Sequence, residues 1–177
     1  IISAYSVSGY VGYGNCLACG AGRKTLRVIF CHSGCRVGVK GSFPDFLTFL
    51  RTDKQFYEST PIALMKDASY LAKEIDGKLP QYFGKLPRMT YKVDPVPAEI
   101  AANYTAGRYN PGPNDGRTSG TYWVNTTFLN RRPLYALPSL TLHEAVPGHH
   151  LQGSLAREVQ NVPKFRNSLY LSAYGEG

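Results

Sequence analysis

Long apolar runs are missing from this chain: none approaches the roughly 20 residues that a membrane-spanning helix needs, and no span is expected. Acidic residues are missing from one stretch. Residues 1–40 hold five Lys/Arg (Arg23, Lys24, Arg27, Arg36 and Lys40) and no Asp or Glu, whereas residues 41–177 hold 15 Lys/Arg against 12 Asp/Glu. The net charge of +8 thus belongs mainly to the first 40 residues, and no basic patch interleaved with aromatics follows it. Nucleic acid is therefore not an expected partner. Cysteine is scarce, and all four copies lie within those 40 residues. With no Gly-x-Ser-x-Gly elbow either, a serine or cysteine hydrolase is not expected. No signal peptide is readable. The sequence opens on Ile1 and closes on Gly175-Glu176-Gly177, and both ends read as cut. The expectation is a piece of a longer protein, with its compartment left open.

What is present suits a packed domain. The chain has 177 residues, 43% of them hydrophobic and 18% charged, enough for one core. Composition changes near residue 40. Residues 1–40 are rich in Gly, Ser and Tyr and show no sustained periodicity. Cys16-Leu17-Ala18-Cys19 and Cys31-His32-Ser33-Gly34-Cys35 superficially suggest a zinc ribbon. The favoured reading is a poorly structured leader, followed by a domain over 41–177.

Ser42-Phe43-Pro44-Asp45 predicts a helix start, with a capping hydroxyl, an early Pro and an acid in the first turn. A second helix is predicted from Thr60-Pro61 to about Tyr82, with Ile62, Met65, Leu71 and Ile75 on its apolar face. Gly77 and Pro80 should interrupt or end it. Met89 to Val93 alternates and predicts a strand stopped by Pro95 and Pro97. Asn110 to Gly116 is turn-rich, and Gly120 to Thr126 is β-branched and aromatic, hence a second strand. Pro138-Ser139 should open the helix that carries the histidines, and a last helix should begin near Pro163. The fold class is mainly α with a small β-sheet (α+β).

Three of the four histidines fall within His143-Glu144-Ala145-Val146-Pro147-Gly148-His149-His150. Zinc hydrolysis needs neutral imidazole ligands, an open coordination position and a carboxylate to take a proton from water. In the usual His-Glu-x-x-His helix the two His are four apart and share a face. Here Pro147 occupies that place. His150 would lie about 10.5 Å further along a straight helix, and His149 would point roughly 120° away. A regular helix cannot make the site. Pro147 removes a helix hydrogen bond and Gly148 permits unusual backbone angles, so a break there could return a later His to His143. The alternative is a capping His beside an ordinary turn.

Beyond these residues, the chain from 41 onward resembles the bacterial domain of unknown function 885 family, regarded as zinc metallopeptidases. The resemblance is carried by Gly41 to Asp53, by Asp115-Gly116-Arg117, by Gly120 to Thr126, and most strongly by Thr141 to Gln152. Glu176-Gly177 matches the start of a further family element. The family resembles helical gluzincin-type peptidases, in which two His and a downstream Glu hold zinc. That resemblance implies His143, His149 and Glu176 as ligands and Glu144 as general base. It puts His150 outside the ligand set. Tyr122 and Tyr109 are candidates to donate to a developing oxyanion, and the Gly120–Thr126 strand to line the cleft and pair with an extended peptide substrate. The implied domain is a fragment of a helical zincin-like metallopeptidase with Zn2+ as cofactor. A zinc hydrolase of esters or non-peptide amides, or an inactive metal-binding fragment, are the alternatives.

Overall fold

A computed structural model describes residues 42–163, 165 and 171–176. The leader reading for residues 1–40, with its four cysteines, lies outside the described residues. The chain divides into two units, Ile1–Phe56 and Tyr57–Gly177.

In the first unit, helix α1 spans Phe43–Thr52. Its start is local chemistry. The Asp45 amide donates to Ser42 Oγ at 3.4 Å, and the Ser42 amide donates back to Asp45 Oδ2 at 2.8 Å. This reciprocal box satisfies amides that a helix start leaves without partners. The hydrogen bonds from Ser42 hold the Asp45 carboxyl below its ordinary range. After α1, Phe56 meets Phe49 edge-on, with ring centroids 5.3 Å apart.

The second unit carries the rest. Helix α2 (Pro61–Lys78) is capped by Thr60, whose hydroxyl accepts from the Ala63 amide at 3.1 Å. It stops at Lys78 and passes into a 3-10 turn, Leu79–Gln81, which holds Pro80. The buried face of α2 is Leu64, Ala68 and Ala72, each four residues on from the last. Met65, Leu71 and Ile75 are partly buried beside it, while Ile62 is 69% exposed and is not on the core face. Ile62 sits in the first turn, two residues before Leu64 and so well round the helix from it.

The small sheet has strand order β1-β3-β2. Strand β1 (Tyr91–Pro95) lies parallel to β3 (Gly120–Val124), with Tyr91 opposite Gly120. Strand β2 (Gly107–Asn110) runs antiparallel to β3, with Tyr109 opposite Tyr122. Two expectations change here. Strand β1 ends on Pro95 instead of stopping before it, because β1 is an edge, where a residue without an amide hydrogen is tolerated. Strand β2 lies in a stretch that carries no strand signal of its own. Leu64 and Ala68 from α2, Tyr122 and Val124 from β3, and Leu137 and Ala145 from the histidine segment form one buried cluster. Leu79, Val146 and Leu151 form another. At the end of β3, buried Asn125 donates to the carbonyl of Ala101, the last residue of the short helix α3 (Ala98–Ala101), at 2.8 Å and accepts from the Thr127 amide at 3.0 Å, tying the strand to the segment before β2. The architecture is mainly helical with a three-stranded mixed sheet. Among the described residues no helix is long and apolar enough to cross a membrane.

Candidate metal centre

Helix α4 spans Leu137–Glu144 and helix α5 spans His149–Glu158. The four residues between them form an elbow. Residue chemistry predicts a break at Pro147-Gly148; the helix in fact ends three residues earlier, at Glu144. Val146 is buried with Leu79 and Leu151, so an apolar side chain anchors the elbow. The Gly148 amide donates to the Leu142 carbonyl at 2.9 Å, and the His150 amide to the Ala145 carbonyl at 3.1 Å. These bonds fold the start of α5 back against the end of α4. A Cβ on Gly148 would collide with the carbonyl of His143. Only glycine allows that approach.

The elbow brings His143 and His149 side by side, with ring centroids 4.5 Å apart at 73°. His143, Glu144 and His149 form a group that could hold a metal ion: one ligand atom from each lies within 4.8 Å of the others. Glu176 comes to the same place from beyond a helical turn, Ser172–Gly175, which receives a hydrogen bond from Gln152 of α5 at the Tyr174 carbonyl. Its Oε2 lies 3.4 Å from His143 Nε2 and 3.6 Å from His149 Nε2. Glu144 Oε2 is 4.0 Å from His149 Nε2.

Glu144 is buried, and its Oε2 accepts from the backbone amide of Tyr109 at 2.7 Å. The edge strand β2 therefore holds this carboxylate in place. Nothing in the side chain of residue 109 announces that role, because the donor is an amide that any residue but proline has.

His150 turns the other way. It is 2% exposed, and its Nδ1 meets the Tyr109 hydroxyl at 2.9 Å and Ser154 Oγ at 3.3 Å. The rings of Tyr91 and Tyr109 pack against it. Burial pushes its pKa down to about 4, against a bond to the Met89 backbone that favours the charged form, so the ring is neutral near pH 7.

The two tyrosines read as oxyanion donors are both engaged internally. Tyr122 is fully buried and its hydroxyl pairs with Thr141 Oγ1 at 3.2 Å; burial pushes its pKa up to about 12. It is a core residue and does not face a cleft. The Tyr109 hydroxyl is occupied by His150, and burial raises its pKa. Strand β3 lies between β1 and β2, so it has no free edge for an extended peptide; among these strands β2 is the edge beside Glu144.

A family model described as a bacterial protein of unknown function (DUF885) matches residues 33–177, beginning ahead of the composition change near residue 40. A crystal structure from Colwellia psychrerythraea, of a protein provisionally assigned as a lipoprotein, is similar at 30% identity and a TM-score of 0.70. The match covers 78% of this chain but 24% of that one. No curated protein matches the chain.

Proposed function

The chain belongs to the DUF885 family, and on that premise we propose that residues 41–177 supply part of the catalytic domain of a zinc-dependent peptidase of the helical, gluzincin-like kind. The observation that carries this reading is the position of one Glu176 oxygen, 3.4 and 3.6 Å from two imidazole nitrogens. Ligands about 2.0–2.1 Å from zinc at tetrahedral angles stand roughly 3.3–3.4 Å from one another. The donor set of His143, His149 and Glu176 fits that ion. Glu144 is the poorer ligand, because its Oε2 is already taken by the Tyr109 amide and lies 4.0 Å from the nearer histidine.

Zinc held there would lower the pKa of a bound water toward about 7 and polarise a carbonyl. The protein's own groups do the rest. His143 and Glu176 keep about half of their side-chain surface exposed, so solvent and substrate reach the ligand face. Glu144, fixed by β2 next to that face, takes the proton from the attacking water and passes it to the leaving amine. His150 is not a ligand in this scheme. It holds the Tyr109 side chain, and the same residue's amide orients Glu144.

Elemental analysis tests the ligand set, with about one zinc per chain expected and tight binding lost in both His143→Ala and Glu176→Ala. Full zinc in both variants would remove the assignment. Glu144→Gln keeps an acceptor for the Tyr109 amide but cannot take a proton. It should retain zinc and lose peptide turnover by on the order of 100-fold or more. Wild-type turnover in that variant would take Glu144 out of the mechanism.

A further inference from the structure

His143 has a second neighbour besides the metal-capable group. A cavity of about 430 Å3 opens on it, lined by apolar side chains that include Leu64, Val124, Leu137 and Leu140. Two adjacent cations, Arg131 and Arg132, share the same lining. Neither forms an ion pair with an acid among the described residues. Arg131 lies over the ring of Phe128, 5.1 Å from its centroid. The buried Nε of Arg132 has no hydrogen-bond partner. Burial, with the neighbouring charge of Arg131, lowers the Arg132 pKa, which marks a cation without compensation.

A buried donor without a partner costs free energy, and guanidinium groups match carboxylates in shape and charge. The volume falls within the roughly 300–1,000 Å3 of ordinary small-ligand pockets. Its apolar lining beside two cations suits one residue with an apolar body and an anionic group.

We propose that this cavity binds a substrate carboxylate through Arg131 and Arg132. The carboxylate is either the free C-terminus of a peptide or an acidic side chain. The position of the cut rests on the peptidase reading above. A C-terminal residue seated beside His143 puts the bond that precedes it at the ligand face. Hydrolysis there breaks the C–N bond, adds the water's OH to the acyl carbon, and leaves its proton on the released amine. The product is a free C-terminal amino acid.

The test separates binding from turnover. The protein is freed of metal with EDTA, so that no carboxylate can bind through zinc, and titrated calorimetrically. The probes are N-acetyl-leucine, N-acetyl-leucinamide and N-acetyl-aspartic acid α-amide. N-acetyl-leucine should bind about ten-fold or more tighter than its amide, the size of a charged hydrogen bond. Arg132→Ala should bring the two within about two-fold of each other. Arg132→Lys, which keeps the charge and loses the planar fork, should lose most of the preference. Should Arg132→Ala fail to fold, the Lys variant and exposed Arg131→Ala carry the comparison. Preference for the aspartic amide over N-acetyl-leucine keeps the carboxylate site and overturns removal of the last residue. Equal affinity for acid and amide, or no binding of either, overturns the proposal. In the zinc-loaded protein, peptides with a free C-terminus should be cut faster than their amides. Carboxylate binding with no cleavage of any peptide would count against the peptidase reading and leave this site standing.

Discussion

The elbow between α4 and α5 has an outer and an inner side, and they treat neighbouring histidines in opposite ways. Outside, His143 and His149 retain 47% and 23% of their side-chain exposure and face the carboxylate of Glu176. Inside, one residue further on, His150 is 2% exposed and is held by Tyr109, Ser154 and the Tyr91 ring. A catalytic ligand needs a lone pair that an ion and a substrate can reach. A structural histidine needs each polar atom satisfied where water cannot go. Residue type alone does not separate the exposed pair from the buried ring; the backbone path through Ala145–Gly148 does.

The comparison breaks most completely if the elbow opens. Gly148→Ala puts a methyl group into the carbonyl of His143, so α5 must swing away. Stability should fall by on the order of 3 kcal/mol or more, and zinc should no longer bind tightly. Urea unfolding and a zinc titration measure both, and wild-type zinc affinity would show that the two histidines meet without the elbow.

A smaller change sharpens the inner side. His150→Phe keeps a ring of similar size but removes the hydrogen-bond partner of the partly buried Tyr109 hydroxyl. It should cost about 1–3 kcal/mol while leaving zinc affinity at the wild-type value. If zinc is lost along with stability, His150 belongs with the ligands and the division into two sides fails. Smallest of all is Tyr109→Phe. The hydroxyl goes, but the amide that holds Glu144 stays and Ser154 still meets His150. A loss of about 1 kcal/mol with unchanged zinc binding is expected; thermal unfolding against metal content checks it.

The signals that could be read in the sequence were those confined to a few residues. The capping box of α1 spans Ser42 to Asp45, and the failure of a straight helix after His143 follows from Pro147 and Gly148 alone. Proximity of His143, His149 and Glu176 was suggested by family resemblance, since no spacing rule takes Glu176 back across 27 residues of chain. Features that depend on distant partners were not legible. Strand β2 is four residues beside a turn-rich run and exists by pairing with β3. Tyr122 sits in a strongly β-forming stretch, but whether it faces a cleft or the core depends on which face of the sheet the helices cover, and Leu64, Ala68 and Leu137 cover its side. Ile62 reads as a core residue by type alone, but the phase of α2 puts Leu64, Ala68 and Ala72 inward. Asn125 gives no sign in sequence that it stitches β3 to the segment before β2.

The bond from the Tyr109 amide to Glu144 has a consequence for how this molecule can vary. Substitutions change side chains, and this donor is main chain. Nineteen of the twenty residues would supply it; proline at 109 is the exception. Drift at that position can therefore reshape the contact with His150 while the carboxylate stays aimed, so the orientation of Glu144 is buffered against nearly all single changes at residue 109 itself.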